Sequence, residues 1–124
     1  METKDLGKTS SGIQANMAAL LSYLAGWITG LIFFLVEKDN KFVRFHAMQS
    51  ILVFGAVSAI WIMIALFSSF ALTINVYFLW SFLGLVSMIV WIVALVLWIV
   101  LMIKAYQGEK FKLPIVGDLA EKNS

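Results

Sequence analysis

An all-α integral membrane bundle of three transmembrane helices is the fold class the sequence predicts, on three observations. Hydrophobic residues make up 62% of the chain and charged residues 13%, with a mean hydropathy of +0.95, outside the range of ordinary soluble domains. No Asp, Glu, Lys or Arg occurs between Lys8 and Glu37, nor in the 59 residues from 45 to 103. A helix rises about 1.5 Å per residue through a hydrocarbon core roughly 30 Å thick, so the first stretch suits one span and the second, too long for one, suits two.

The elements follow in order. Residues 1–10 form a polar, flexible N-terminus, and residues 11–107 a membrane domain with spans at about 17–36, 47–71 and 81–103, followed by a tail over 108–124. Ser11-Gly12-Ile13-Gln14 fits a capping box and predicts the start of the first helix. The span 17–36 is too long for the apolar region of a signal peptide and runs straight into charge instead of a cleavage site. Within it Ala18, Ser22, Gly26 and Gly30 recur every fourth residue, a small-residue face that lets another backbone come close.

Charge gathers inside the chain only from Glu37 to Ser50. Asp39 or Asn40 is the expected cap of a second helix from about Lys41 to Leu72, whose first turns lie at the membrane interface. There Lys41 and Arg44 face headgroups, Phe42 and Phe45 enter the acyl boundary, and His46 packs beside the two rings. Gln49 lies one to two turns further in and needs partners in a dry medium; Thr29 and the backbone beside Gly30 on the first span are the expected ones. Gly55 and Ala59 make a second small pair four apart. Thr73-Ile74-Asn75 is the expected turn to the third span, with Ser68-Ser69 as the alternative. Lys104 snorkels, Gly108 ends the helix in a left-handed cap, Phe111 to Gly117 rests on the membrane surface, and Glu121 to Ser124 is loose.

With three crossings, Lys4 and Lys8 lie on one side, while Lys38, Lys41, Arg44, Lys104, Lys110, Lys112 and Lys122 lie on the other. Two cations against seven place the N-terminus outside and the 37–46 loop and tail in the cytoplasm, the membrane being the plasma membrane.

Several chemistries drop out. Cysteine is absent, so there is no disulfide or thiolate site. One histidine does not make a metal site without carboxylates or a second copy, no acid is placed to complete a Ser-His triad, and no acidic residue lies within the spans to relay protons. No catalytic residue, metal ligand or cofactor is therefore assigned. The net charge of +2 is explained by orientation in the membrane, so no nucleic-acid partner is expected. Trp27, Trp61, Trp91 and Trp98 read as packing, a lipid-soluble ligand between the indoles being the alternative.

The string Glu37 to Ser50, the preceding Tyr23-Leu24-Ala25-Gly26-Trp27-Ile28-Thr29-Gly30 and the tail from Lys104 to Asp118 resemble a family of small prokaryotic membrane proteins of unknown function, over about residues 10–121. Those proteins in turn look like the twenty-kilodalton component of the chloroplast inner-envelope import translocon, through Val43-Arg44-Phe45 followed by Met48-Gln49. The second resemblance implies a four-span bundle, where the pattern here counts three, and a link to protein transport. It supplies no catalytic residues.

The functional reading is a non-enzymatic membrane interaction or assembly subunit. Ala18, Ser22, Gly26, Gly30, Gln49, Gly55 and Ala59 serve packing, and Lys41, Phe42, Arg44, Phe45 and His46 form the contact surface. The expected partners are the lipid bilayer with its anionic headgroups and a second copy or another membrane protein. The competing reading is a subunit of an oligomeric channel or small-solute transporter, with Gln49, Ser50, Ser58 and Ser81 along a polar path.

Overall fold

The first apolar segment does not form one helix. In a computed structural model, which describes residues 6–124, it divides into α1 (Ala15–Leu24) and α2 (Trp27–Val36), each of 10 residues. Ten residues of helix rise about 15 Å, half of a hydrocarbon core. The break falls at Ala25-Gly26, where Gly26 has φ +64° and ψ −133°, a conformation open to glycine and costly for any side chain. The two halves fold back on one another. The backbone N–H groups of Ser10 and Ser11 donate to the Glu37 carboxylate at 2.6 and 3.0 Å, so the start of α1 lies beside the end of α2.

The chain then builds α3 (Lys41–Thr73) and α4 (Tyr77–Tyr106), of 33 and 30 residues, both long and apolar enough to cross a membrane. Asn40 caps α3, its Oδ1 accepting from Val43 N–H at 3.0 Å. The turn falls at Ile74-Asn75-Val76, with Asn75 left-handed at φ +62°, and Val76 N–H and Asn75 N–H donate to Ala71 O and Leu72 O. At the other end of α4, Gly108 at φ +76° closes the same arrangement, with Glu109 N–H donating to Lys104 O and Gly108 N–H to Ala105 O. A short helix α5 (Val116–Asn123) completes the tail. No strand occurs among the described residues.

The architecture is an antiparallel pair of long helices with a half-length helical hairpin, α1–α2, laid against one end. Its apex reaches only to Phe54 on α3 and Trp98 on α4. The buried core therefore sits at that end: Ala19, Tyr23, Val53, Phe54, Leu101 and Ala105 form one cluster, and Ala15, Ala18 and Val43 another. Beyond the apex, among the described residues, the two long helices pack only against each other. Leu66, Phe67 and Phe70 on α3 and Phe78 and Phe82 on α4 are all more than half exposed.

Several expectations are corrected. The span over 17–36 is two half-helices, because Gly26 leaves helical geometry and the freed backbone groups find partners nearby. The capping box does not form: the helix begins at Ala15, and Gln14 makes no side-chain cap. Residues 1–5 of the expected flexible stretch lie outside the described residues; residues 6–10 are held, with Asn40 Nδ2 donating to Leu6 O and Lys8 O at 3.1 and 3.0 Å. They share an end of the bundle with the 37–46 loop. Residues 121–124 are not loose, since Glu121 is ion-paired to Lys110 at 3.4 Å and to Lys112.

The two small pairs behave differently. A Cβ at Gly30 would stand 2.9 Å from Ala47 O and 3.1 Å from Ser50 Cβ, so α2 and α3 touch through backbone there, whereas a Cβ at Gly55 would meet nothing within 4 Å. Gly30→Ala is therefore expected to lower stability by about 1–3 kcal/mol and Gly55→Ala to leave it nearly unchanged. Thermal unfolding in mild detergent checks this, and equal midpoints for the two variants would contradict the close contact.

Candidate functional site

A buried polar cluster occupies the end where the base of the hairpin, the first turns of α3 and the tail converge. It is built outward from Tyr23, which is fully buried near the end of α1. The Tyr23 hydroxyl lies 2.7 Å from His46 Nδ1, and the other ring nitrogen, Nε2, lies 2.9 Å from Glu109 O. A carbonyl only accepts, so Nε2 carries the proton, Nδ1 accepts, and the tyrosine O–H donates. Gln49 Nε2 donates to Tyr23 Oη at 3.0 Å and to Phe111 O at 2.9 Å, while Gln49 Oε1 accepts from Leu113 N–H at 3.1 Å. Phe42, Phe45 and Tyr23 present ring edges to His46 at centroid distances of 4.7, 5.1 and 5.5 Å. Each polar atom of His46 and Gln49 thus has its partner inside an apolar sleeve.

A second set of bonds closes the apex of the hairpin. Ser50 Oγ donates to Gly26 O at 2.8 Å. Thr29 Oγ1 accepts from Ala25 N–H at 3.0 Å and donates to Ser22 O at 3.1 Å, and Trp98 Nε1 donates to Tyr23 O at 2.7 Å. These side chains replace the helical bonds that the break removes, which hydrocarbon requires of any interrupted helix. Below the apex lies a cavity of about 270 Å³ walled by Trp27, Phe54, Ser58, Trp61, Trp91 and Trp98.

The base of the hairpin is charged. Glu37 is fully buried between Ser10 and Ser11. Desolvation pushes its carboxyl up, but the Ser11 side chain and the backbone N–H groups of Ser10 and Ser11 outweigh that and hold it below the usual range. Arg44 is engaged as well: Nε donates to Ser124 O and Nη1 to Phe34 O, both at 2.8 Å, with the guanidinium 4.0 Å over the Phe34 ring.

The residues singled out in the sequence therefore scatter. Ala18, Ser22, Gly26 and Gly30 all meet neighbours, but in a hairpin and not along one span: Ala18, Ser22 and Gly30 are buried, and Gly26 forms the apex. Gln49 bonds the tail and Tyr23 instead of Thr29 and Gly30, because the tail folds into the end of the bundle where a membrane-surface segment was expected. Gly55 is half-buried and Ala59 exposed. Of the junction residues, Lys41 is exposed, Phe42 and Arg44 are half-buried, and Phe45 and His46 are fully buried. The expected polar path is not continuous: Gln49 and Ser50 are buried at the tail end, Ser58 lies on the cavity wall, and Ser81 is exposed near the start of α4. Tyr23, Glu37 and the tail backbone escaped the sequence reading. A lone phenol in mid-segment and a carboxylate abutting an apolar run were the signals.

The fold and this site define a small helical protein embedded in a lipid bilayer. The family model for the magnetosome magnetite crystal formation protein family matches residues 9–120, and the chain belongs to that family. It is 45% identical over 122 residues to a UPF0132 membrane protein of Methanocaldococcus jannaschii, covering 96% of each chain. It is 46% identical over 111 residues to a UPF0132 membrane protein of Archaeoglobus fulgidus, covering 89% of this chain and 95% of the relative. No solved structure matches it significantly.

Two predictions follow from the bonds just described. Gln49→Leu leaves Phe111 O and Leu113 N–H without partners and is expected to cost about 2–4 kcal/mol, with earlier cleavage between residues 108 and 116 in limited proteolysis. Unchanged cleavage would show that the tail is held by other means. A carboxyl depressed on folding contributes stability above its unfolded value of 4.5 and loses it as the pH falls through the lower folded value. The parent protein is therefore expected to lose stability on acidification below that point, and Glu37→Gln to show a flatter profile in the same melts.

Proposed function

We propose that this chain is a non-enzymatic assembly subunit of a membrane complex. The observation that carries the reading is the contrast between its two ends. At one end every buried side-chain polar atom among the described residues is already paired within the chain, so the cluster there is built for rigidity. Past the apex of the hairpin, α3 and α4 expose apolar and small residues, including Gly84, with no third helix among the described residues to cover them. Lys38 and Lys41 stay exposed at the charged end, where anionic headgroups or a partner's acidic groups can reach them.

The family is named for magnetite crystal formation and the relatives only as membrane proteins; the assembly role is our own reading of the two ends of the molecule. The acidic groups Glu37, Glu109, Asp118 and Glu121 are taken up in caps and ion pairs, and no three His, Asp or Glu side chains are grouped as metal ligands among the described residues. A narrower form ties the subunit to protein import through the Val43-to-Gln49 pattern; none of the relatives described above is named for import.

The geometry also supports an orientation. Eight of the nine Lys and Arg side chains, all but Lys4, lie among the described residues, on residues 8–44 and 104–122, at the end shared by the hairpin base and the tail. The positive-inside rule then sets residues 6–11, 37–41 and 108–124 on the cytoplasmic face of the plasma membrane, with α1–α2 entering and leaving by that face and Asn75 opposite.

Single cysteines at Ser11, Asp39, Lys122 and Asn75 test the orientation, because the chain has none of its own. Impermeant maleimide is expected to reach 11, 39 and 122 from one side and 75 from the other; labelling of 11 together with 75 would restore a full first span. Crosslinking in native membranes followed by mild-detergent purification tests the function. A strictly monomeric protein without a co-purifying partner would refute it.

A further inference from the structure

We propose that the tail exchanges between two copies of this chain, the segment 109–113 of one copy docking on His46 and Gln49 of the other. This rests on the assembly-subunit reading and names the partner for its tail-binding cleft. Three observations carry it.

The cleft reads backbone and not side chains. It takes Glu109 O, Phe111 O and Leu113 N–H, at 2.9, 2.9 and 3.1 Å. These are alternate residues of a stretch outside the helices, and their three backbone groups face the same two side chains. The same segment from another copy offers the same three groups in the same order.

The tail also holds itself together. Its ion pairs, Lys110 with Glu121 and Lys112 with Asp118 and Glu121, lie within it and would travel with it. Lys104–Glu109 at 3.2 Å spans the junction with α4, where the left-handed Gly108 is a ready swivel. Leu113 and Val116 pack on the Tyr23 cluster, and Ser124 O accepts from Arg44. A tail from a second copy would remake the contacts with the Tyr23 cluster and Arg44 and bring its own internal ion pairs, so exchange gives up only the bonds local to the swivel, Lys104–Glu109 and the amides of Gly108 and Glu109, and is governed by local concentration, which confinement to a membrane raises.

The test uses the full chain, which lacks cysteine, in two differently tagged copies joined by a short bismaleimide. In the first arrangement one copy carries Lys41→Cys with Leu113→Pro, leaving its cleft intact but its own tail without the N–H that Gln49 accepts. The other carries Ser124→Cys with Gln49→Leu, so that its tail is intact and its cleft is not. In the second arrangement the cysteines are interchanged, so that they mark the damaged cleft and the damaged tail. Both mixtures contain the same four substitutions and the same load on folding. The first is expected to give about tenfold more link between the copies than the second. Equal yields, or no link in either, overturn the exchange, and an oligomer without the link overturns it while leaving the assembly reading intact. Should the doubly substituted chains fail to fold, Lys41→Cys and Ser124→Cys copies without further change serve. A link that excess cysteine-free chain competes away supports exchange, and its absence sinks it.

Discussion

A peptide group in hydrocarbon has no water to turn to, and the rest of this fold depends on how that is met at Ala25-Gly26. A helix broken in mid-segment releases N–H and C=O groups that each cost several kcal/mol if left bare. Here Thr29, one turn beyond the break, bonds Ala25 N–H and Ser22 O before it, Ser50 reaches across from α3, and Trp98 from α4 bonds the carbonyl of Tyr23. Three elements thus pin the apex. The segment can double back at half depth, and its two ends meet at Ser10, Ser11 and Glu37.

That turn sets the asymmetry of the molecule. Because α1 and α2 stop halfway, buried contacts concentrate at the charged end, where Tyr23, His46 and Gln49 stand close enough to form one chain of hydrogen bonds. The tail closes the chain through its backbone, and the ring edges of Phe42 and Phe45 keep water from it. The far halves of α3 and α4 keep their apolar surfaces for lipid or for a partner. One end has its buried polar groups paired; the other is apolar and exposed.

Much of this was legible in the residues. The long uncharged stretches required a bilayer, Asp39-Asn40 announced the start of α3, Thr73-Ile74-Asn75 stood ahead of Ser68-Ser69 as the turn, and Gly108 marked the end of α4, since each relies on local chemistry that needs no distant partner. The site was legible only in part. Gln49 stood out as a polar group that must be paired, yet nothing nearby in sequence says that its partners lie 62 and 64 residues away, on Phe111 and Leu113. Arg44 looked like a surface group because an interfacial helix would have turned it to headgroups, and its bonds to Phe34 O and Ser124 O hold it instead; His46 lies beside Phe42 and Phe45 as its sequence position suggested, and docking of the tail adds its bond to Glu109 O.

The sequence by itself determined the solvent, the two long helices and the clustering of cations, because hydropathy and charge act residue by residue. Only the tertiary structure decided that the first apolar stretch is a hairpin and not a span. Gly26 permits that bend as it permits a straight helix, and the choice lies with Ser50, Trp98 and Glu37, whose bonds exist only once distant parts of the chain have come together.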